Sequence, residues 1–208
     1  MRQILIQDDV KLVESKLSQF EENTGCELLL ILAKESDMYP GASMRFGVIG
    51  GFIFTFIFSL FFEFHHAYFW PLAMLLATVV MIWVGHFRPM KKFALSDIEV
   101  DRECFEKAVE CFHTMGTSKV SHKVTAMIYV SVLERKIFVL VDEKLKSQIS
   151  QPELDELVII MKDHFKKGNM ALGFTHSMDS LEQKILKDFG GKISDVNPAE
   201  LDNKLHFL

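Results

Sequence analysis

Cysteine is scarce and scattered. Its three copies, Cys26, Cys104 and Cys111, form no Cys-x-x-Cys pair and no disulfide framework. That usage fits a reducing compartment. A basic excess is missing as well: 23 Lys+Arg face 28 Asp+Glu, a net charge of -5. This excludes a nucleic-acid binder that works by neutralising phosphates. Charged residues are 25% of the chain, too few for a disordered acidic segment. No apolar run of signal length opens the sequence; Ile4-Leu5-Ile6 runs into Asp8 and Asp9, so no signal peptide is expected. Catalytic signatures are also lacking: there is no Asp-rich loop of EF-hand type, no Cys-x5-Arg and no Gly-rich phosphate cradle. His113, His122, His164 and His176 are spread over separate segments.

What the chain does have is concentrated hydrophobicity. Its mean hydropathy is +0.17. Phe46–Phe62 and Phe64–Phe87 contain no Asp, Glu, Lys or Arg, and only Glu63 divides them. Each run is close to the ~20 apolar residues of a membrane-spanning helix. The sequence therefore predicts a transmembrane hairpin at about 45–88, with spans near Phe46–Phe62 and Ala67–Gly85. Nine of the 19 phenylalanines lie between Phe46 and Phe69, and Gly47, Gly50 and Gly51 among them suit close helix packing. Trp70 and Tyr68 would sit at one interface and Trp83 near the other. The spans carry no ionisable residue that would mark an ion path. Arg45, Arg88, Lys91 and Lys92 flank the hairpin, whereas its turn, Glu63 to His66, has no Lys or Arg. The positive-inside rule then places both termini in the cytoplasm, and the same four cations suit anionic headgroups. His65-His66 are adjacent, a poor spacing for one metal ion, and read as interfacial turn residues.

The remainder reads as one domain split by the hairpin, 1–44 and 89–208. Val10, Val13, Leu17 and Phe20 make the stripe of a helix over Asp8–Asn23, ended by Gly25. Cys26–Ala33 is a short apolar run of buried-strand type. After the hairpin, Ser96-x-x-Glu99 matches a capping box, and Phe105, Ala108, Phe112 and Met115 stripe a helix ending at Gly116. Cys104 and Cys111, seven apart, fall on one face of it as core residues. Val124–Val132 and Ile137–Val141 read as a β-hairpin joined by Leu133 to Lys136. Pro152 opens a helix closed by Gly168, and a last helix is expected over Ser180–Phe189. The fold class is α/β, a small mixed β-sheet with helices packed on it. The first two strands should be parallel, and the Glu134-Arg135-Lys136 turn should lie at the sheet edge facing the membrane.

Several stretches resemble the TPM domain family, which includes plant thylakoid photosystem-repair phosphatase-like proteins and an animal acetylcholine-receptor accessory protein. They are Asn23-Thr24-Gly25-Cys26-Glu27-Leu28, the run Ile128-Tyr129-Val130-Ser131-Val132-Leu133-Glu134-Arg135-Lys136, and Asp142-Glu143. Ala108 and Phe112 match the helix before that run, and Glu200-Leu201-x-Asn203-Lys204-Leu205 resembles the ending of the membrane-inserted bacterial branch. The entry to the second strand departs from the family: Val124-Thr125-Ala126 stands where a Gly-containing turn is usual. The resemblance implies an αβα sandwich and only a loose function. Some members are described as acid phosphatases, some bind calcium, and some are accessory subunits of membrane complexes.

The leading expectation is an accessory or assembly module of the bacterial cytoplasmic membrane. It would bind another integral membrane protein, or a second copy of itself, through the hairpin and through Arg45, Arg88, Lys91, Lys92, Glu134, Arg135 and Lys136. A LemA-type neighbour is what the family suggests as partner; membrane lipid is the other expected contact. No resident cofactor is expected. The rival readings are a metal-assisted phosphatase, with Asp142 and Glu143 offering oxygen ligands to Ca²⁺ or Mg²⁺, and a lipid-headgroup binder.

Overall fold

The run Glu27–Ala33 buries all seven of its side chains, as does Thr125–Ser131. Strands with no polar face must be covered on both sides, and that requirement organises the domain. The computed structural model describes residues 7–36, 40–62, 68–85, 96–117, 124–193 and 204–208. In chain order these form α1 (Gln7–Thr24), β1 (Glu27–Ala33), α2 (Pro40–Ser59), α3 (Phe69–Gly85) and α4 (Asp97–Cys111). A π-helical turn (Phe112–Thr117) follows, then β2 (Thr125–Ser131), β3 (Lys136–Val141), α5 (Glu143–Lys146), α6 (Gln151–Lys166), α7 (Met170–Asp188) and β4 (Leu205–Phe207).

The sheet order is β3-β2-β1-β4. β1 pairs parallel with β2 and with β4, and β2 pairs antiparallel with β3. Alternate residues of each strand supply two cores. Leu28, Leu30, Leu32, Ala126, Ile128 and Val130 face α1, α6 and α7, whose Leu17, Phe20, Leu157, Met161, Phe174 and Met178 cover them. Leu29, Ile31, Met127 and Tyr129 pack against Ala108, Cys111 and Phe112 on the other face. This is a mixed α/β sandwich, with the parallel β1–β2 pair and the β2–β3 hairpin where the sequence places them.

The chain separates into two compact units, Met1–Ser36 with Arg102–Leu208, and Asp37–Asp101. The breaks fall just past β1 and inside α4. Three other features differ from the sequence reading. Helix α7 begins at Met170, ten residues before Ser180, and Leu205–Phe207 adds an edge strand. Glu99 is drawn to the Arg45 guanidinium within the inserted unit rather than to Ser96.

The two expected spans are also corrected. Among the described residues no helix is long and apolar enough to cross a membrane. Helix α2 begins with Pro40-Gly41-Ala42-Ser43-Met44-Arg45. Its apolar part from Phe46 to Ser59 therefore rises only ~20 Å. Helix α3 has 17 residues. It rises ~26 Å against a hydrocarbon core of ~30 Å. Residues 63–67 and 86–95 lie outside the described residues, so Glu63, His65, His66, Arg88, Lys91 and Lys92 receive no structural account.

What the inserted unit does show is a helical hairpin seamed by glycine. A Cβ on Gly47 would stand 2.1 Å from the Ile82 side chain, and one on Gly51 would stand 2.8 Å from the Thr78 backbone. Gly50 faces the flexible Met81 side chain instead, at 3.2 Å. The small residues are consumed in packing α2 on α3. Large apolar side chains then point outward from both helices, among them Val48, Phe52, Phe56, Leu75, Val79 and Trp83.

Candidate functional site

The carboxyl ends of the parallel strands are where open α/β sheets take ligands. Here β1 ends at Ala33 and β2 at Ser131, and the ladder continues past both through Val132 N–H to Ala33 O (3.0 Å) and Leu133 N–H to Lys34 O (3.0 Å). Glu134 closes this end. Its carboxylate accepts a hydrogen bond from the Ser36 backbone N–H at 3.0 Å and another from the Ser131 hydroxyl. Beneath it the Tyr129 phenol shares a 3.1 Å hydrogen bond with the Ser36 hydroxyl. Burial pushes that phenol up to about 12. Glu134 therefore holds the chain where it leaves the sheet, a use the sequence does not reveal.

The next residue, Arg135, is the one non-glycine with positive φ among the described residues, at 57°. Its exposed side chain lines a cleft of about 550 Å³ together with Lys136 from β3 and with Lys162 and Lys166 from α6. The apolar lining is Val130, Val132, Ile137, Phe165 and Met170. No acidic side chain lines it among the described residues. Arg135 and Lys136 were legible in the sequence as a charged turn. Lys162 and Lys166 were not: one helical turn apart on α6, they look like any solvated face, and Phe165 looks like core.

The opposite end of the sheet collects acids and a thiol, and Asp142 and Glu21 have structural uses there. Asp142 caps α5: Leu145 N–H donates to its Oδ1 at 2.9 Å, and Thr125 N–H donates to its Oδ2 at 3.1 Å. Glu143 is exposed. Among the described residues no three His, Cys, Asp or Glu side chains converge as a metal would need. Asp142 is thus bonded to two backbone N–H groups, and with Glu143 it offers fewer oxygen ligands than a divalent cation takes, so no step is derived through one. Nearby, Glu21 accepts from Leu28 N–H at 3.1 Å. Burial, with added repulsion from Asp142, Glu21 and Glu27, raises the Cys26 thiol well above its ordinary value. That makes it an inert core residue. Cys26, Cys104 and Cys111 are all buried thiols.

His164 and His176 meet across α6 and α7, with Nε2 and Nδ1 3.0 Å apart. No third ligand joins them among the described residues.

Residues 95–184 match the TPM domain. Among solved structures, the chain is similar to the BA42 protein of the psychrophilic bacterium Bizionia argentinensis, determined by NMR. That likeness has a TM-score of 0.58 at 15% identity and covers 98% of this chain and 94% of that one. At such identity it speaks for the fold alone. No curated protein matches. Residues 95–184 of this chain therefore carry a TPM domain, enclosed in an α/β sandwich of the same fold as BA42.

Proposed function

We propose that the protein is a membrane-anchored accessory or assembly module. In this reading the α2–α3 hairpin embeds in lipid beside another integral membrane protein, and the TPM domain stands on the cytoplasmic side. One observation carries the reading: the hairpin exposes large apolar side chains around both helices. Phe52 is 58% exposed on α2, and Leu75 and Trp83 are 60% and 68% exposed on α3. A helix that is apolar all round needs a cover, and lipid covers every face where a single protein partner covers one. The hairpin is shorter than the ~30 Å hydrocarbon core, by ~4 Å in α3 and ~10 Å in the apolar part of α2, a mismatch met by local thinning of the bilayer or by partner helices. Support for a partner comes from a second observation. A groove of about 540 Å³ runs along the hairpin between Phe52, Phe56 and Trp70, and the Thr55 hydroxyl there is buried without a hydrogen-bond partner among the described residues. Such hydroxyls bond across helix interfaces in membranes.

The chain has two tryptophans, Trp70 and Trp83, and both lie on α3. They are ~20 Å apart along the helix axis. Reconstituted Trp70→Phe and Trp83→Phe variants, quenched by lipids brominated at graded depths, therefore report where α3 lies. Embedding predicts strong quenching in both, each with its own depth optimum. Quenching no greater than that of an indole in water would reject the anchor. Crosslinking in native membranes, followed by mass spectrometry, tests the partner. A stoichiometric membrane protein linked to α2 or α3 is the expected product.

A further inference from the structure

We infer that the basic cleft between the β2–β3 turn and α6 binds an amphiphilic anion, a phosphate-type headgroup joined to an apolar body. This inference is independent of the membrane anchor, because every lining residue belongs to the TPM-domain unit.

Four features of the cleft converge on that chemistry. Arg135, Lys136, Lys162 and Lys166 place four cations around one concavity with no carboxylate in its lining. Among the described residues no ion pair engages Arg135, Lys162 or Lys166. A planar guanidinium can take two oxygens of one headgroup, and ammonium groups add point charge around it. The floor is the reverse: Val130, Ile137, Phe165 and Met170 offer apolar surface that a bare inorganic ion would leave unused. The volume, about 550 Å³, lies within the range of pockets that enclose small organic ligands. Finally, α7 begins at Met170 on the cleft wall, and its N-cap Asn169 makes no side-chain cap bond. The positive end of a 19-residue helix is thus left to favour negative charge there.

The local sequence also carries strain at this point. Arg135 sits at φ 57°, where glycine would be unstrained. Lys162 and Lys166 are like charges at i, i+4, a mutually unfavourable pair. Lys166 is offset by its place in the last turn of α6; Lys162 and Arg135 have no such compensation. Strain kept at an exposed, concave, cationic position is the pattern of a binding site. The Ser131 side chain, the one hydroxyl in the lining among the described residues, is fully buried and out of a ligand's reach, and it donates to Glu134. The cleft is therefore equipped to hold the anion rather than to cleave it.

Two sources supply such a ligand, a bilayer phospholipid and a soluble phosphorylated amphiphile. The test is calorimetric titration of the full chain in phosphatidylcholine nanodiscs. The probes are dihexanoyl phosphatidic acid, dihexanoyl phosphatidylcholine and inorganic phosphate. The expected order is phosphatidic acid first, inorganic phosphate much weaker, and the zwitterion without measurable binding. The Lys162→Gln/Lys166→Gln variant, altered at two exposed positions, should lose about tenfold or more in affinity. Arg135→Gly should lose a similar factor while its unfolding midpoint is unchanged or raised, an opposition that a merely structural role would not give. Met170→Gln should narrow the gap between phosphatidic acid and inorganic phosphate. Repeating the titration in nanodiscs that contain phosphatidic acid separates the sources. Occlusion of the soluble probe identifies the bilayer headgroup, and unchanged binding identifies a soluble ligand. Equal binding of acid and zwitterion, or lysine and arginine variants that bind like the parent, would overturn the inference.

Discussion

At the scale of single residues, the sheet ends are governed by a few side chains whose polar atoms are bonded inside the domain, Tyr129, Glu134 and Asp142 first among them. Tyr129 is fully buried, and its phenol lies at about 12 because burial disfavours the phenolate. The sign follows from linkage. An acid raised in the folded state holds its proton while the unfolded chain loses it, so its contribution is complete below the ordinary tyrosine value near 10. It declines as pH rises above that value and is lost through about 12. Denaturant melts between pH 9 and pH 12 should show stability falling by about 2 kcal/mol from this group. Tyr129→Phe should flatten that slope while losing about 1 kcal/mol at neutral pH with the Ser36 hydrogen bond. An unchanged alkaline slope in the variant would show that another group controls it. Asp142 is similar in kind. Asp142→Ala removes acceptors for two backbone N–H groups, so a loss of about 1–3 kcal/mol in chemical denaturation is expected.

At the scale of elements, the glycine seam of the hairpin makes a graded prediction. Gly51→Ala places its methyl 2.8 Å from the Thr78 backbone, which cannot rotate away, whereas Gly50→Ala meets only the mobile Met81 side chain. Detergent-solubilised Gly51→Ala should therefore melt with about 1–3 kcal/mol less stability, and Gly50→Ala close to the parent. Equal melting of the two would mean that the helices do not pack along this seam. The same elements show how far the sequence could be read. The parallel β1–β2 pair, the β2–β3 hairpin and the stripes of α1 and α6 were legible because apolar periodicity and turn residues agreed. The start of α7 was not. Gly168 and Asn169 suggest a long break, and Gly173 looks like a helix breaker, yet it is there because a Cβ would stand 2.5 Å from the Phe165 ring. A three-residue edge strand such as Leu205–Phe207 is shorter than any periodic signal. The cleft was half legible for a related reason. Arg135 stands out in its turn, but the cations that complete the concavity come from a helix whose charged face looks ordinary until the fold closes on it.

At the scale of the whole molecule, the question is whether the inserted unit is cargo on the domain or part of it. Among the described residues, both apolar cores are built only from Met1–Ser36 and Arg102–Leu208. β1 nevertheless lies between β2 and β4, so Met1–Ser36 cannot be dispensed with. Leaving it out would expose the ladder edges of both neighbours and half of each core. Replacing Asp37–Ser96 with a flexible linker of about 15 residues keeps β1 and the whole of α4 and shortens the loop that the domain must close. The loop-closure term alone should favour the shortened chain by about 1 kcal/mol. The expected protein has a native near-UV spectrum, a cooperative melt and no flotation with vesicles of neutral lipid. The complementary fragment Arg102–Leu208, which lacks β1, should show no cooperative melt until a peptide spanning Met1–Ser36 is added. A shortened chain that fails to fold, when the parent folds in detergent, would show that the hairpin supplies packing to the sandwich. A shortened chain that still floats would move the membrane attachment from the hairpin to the TPM domain.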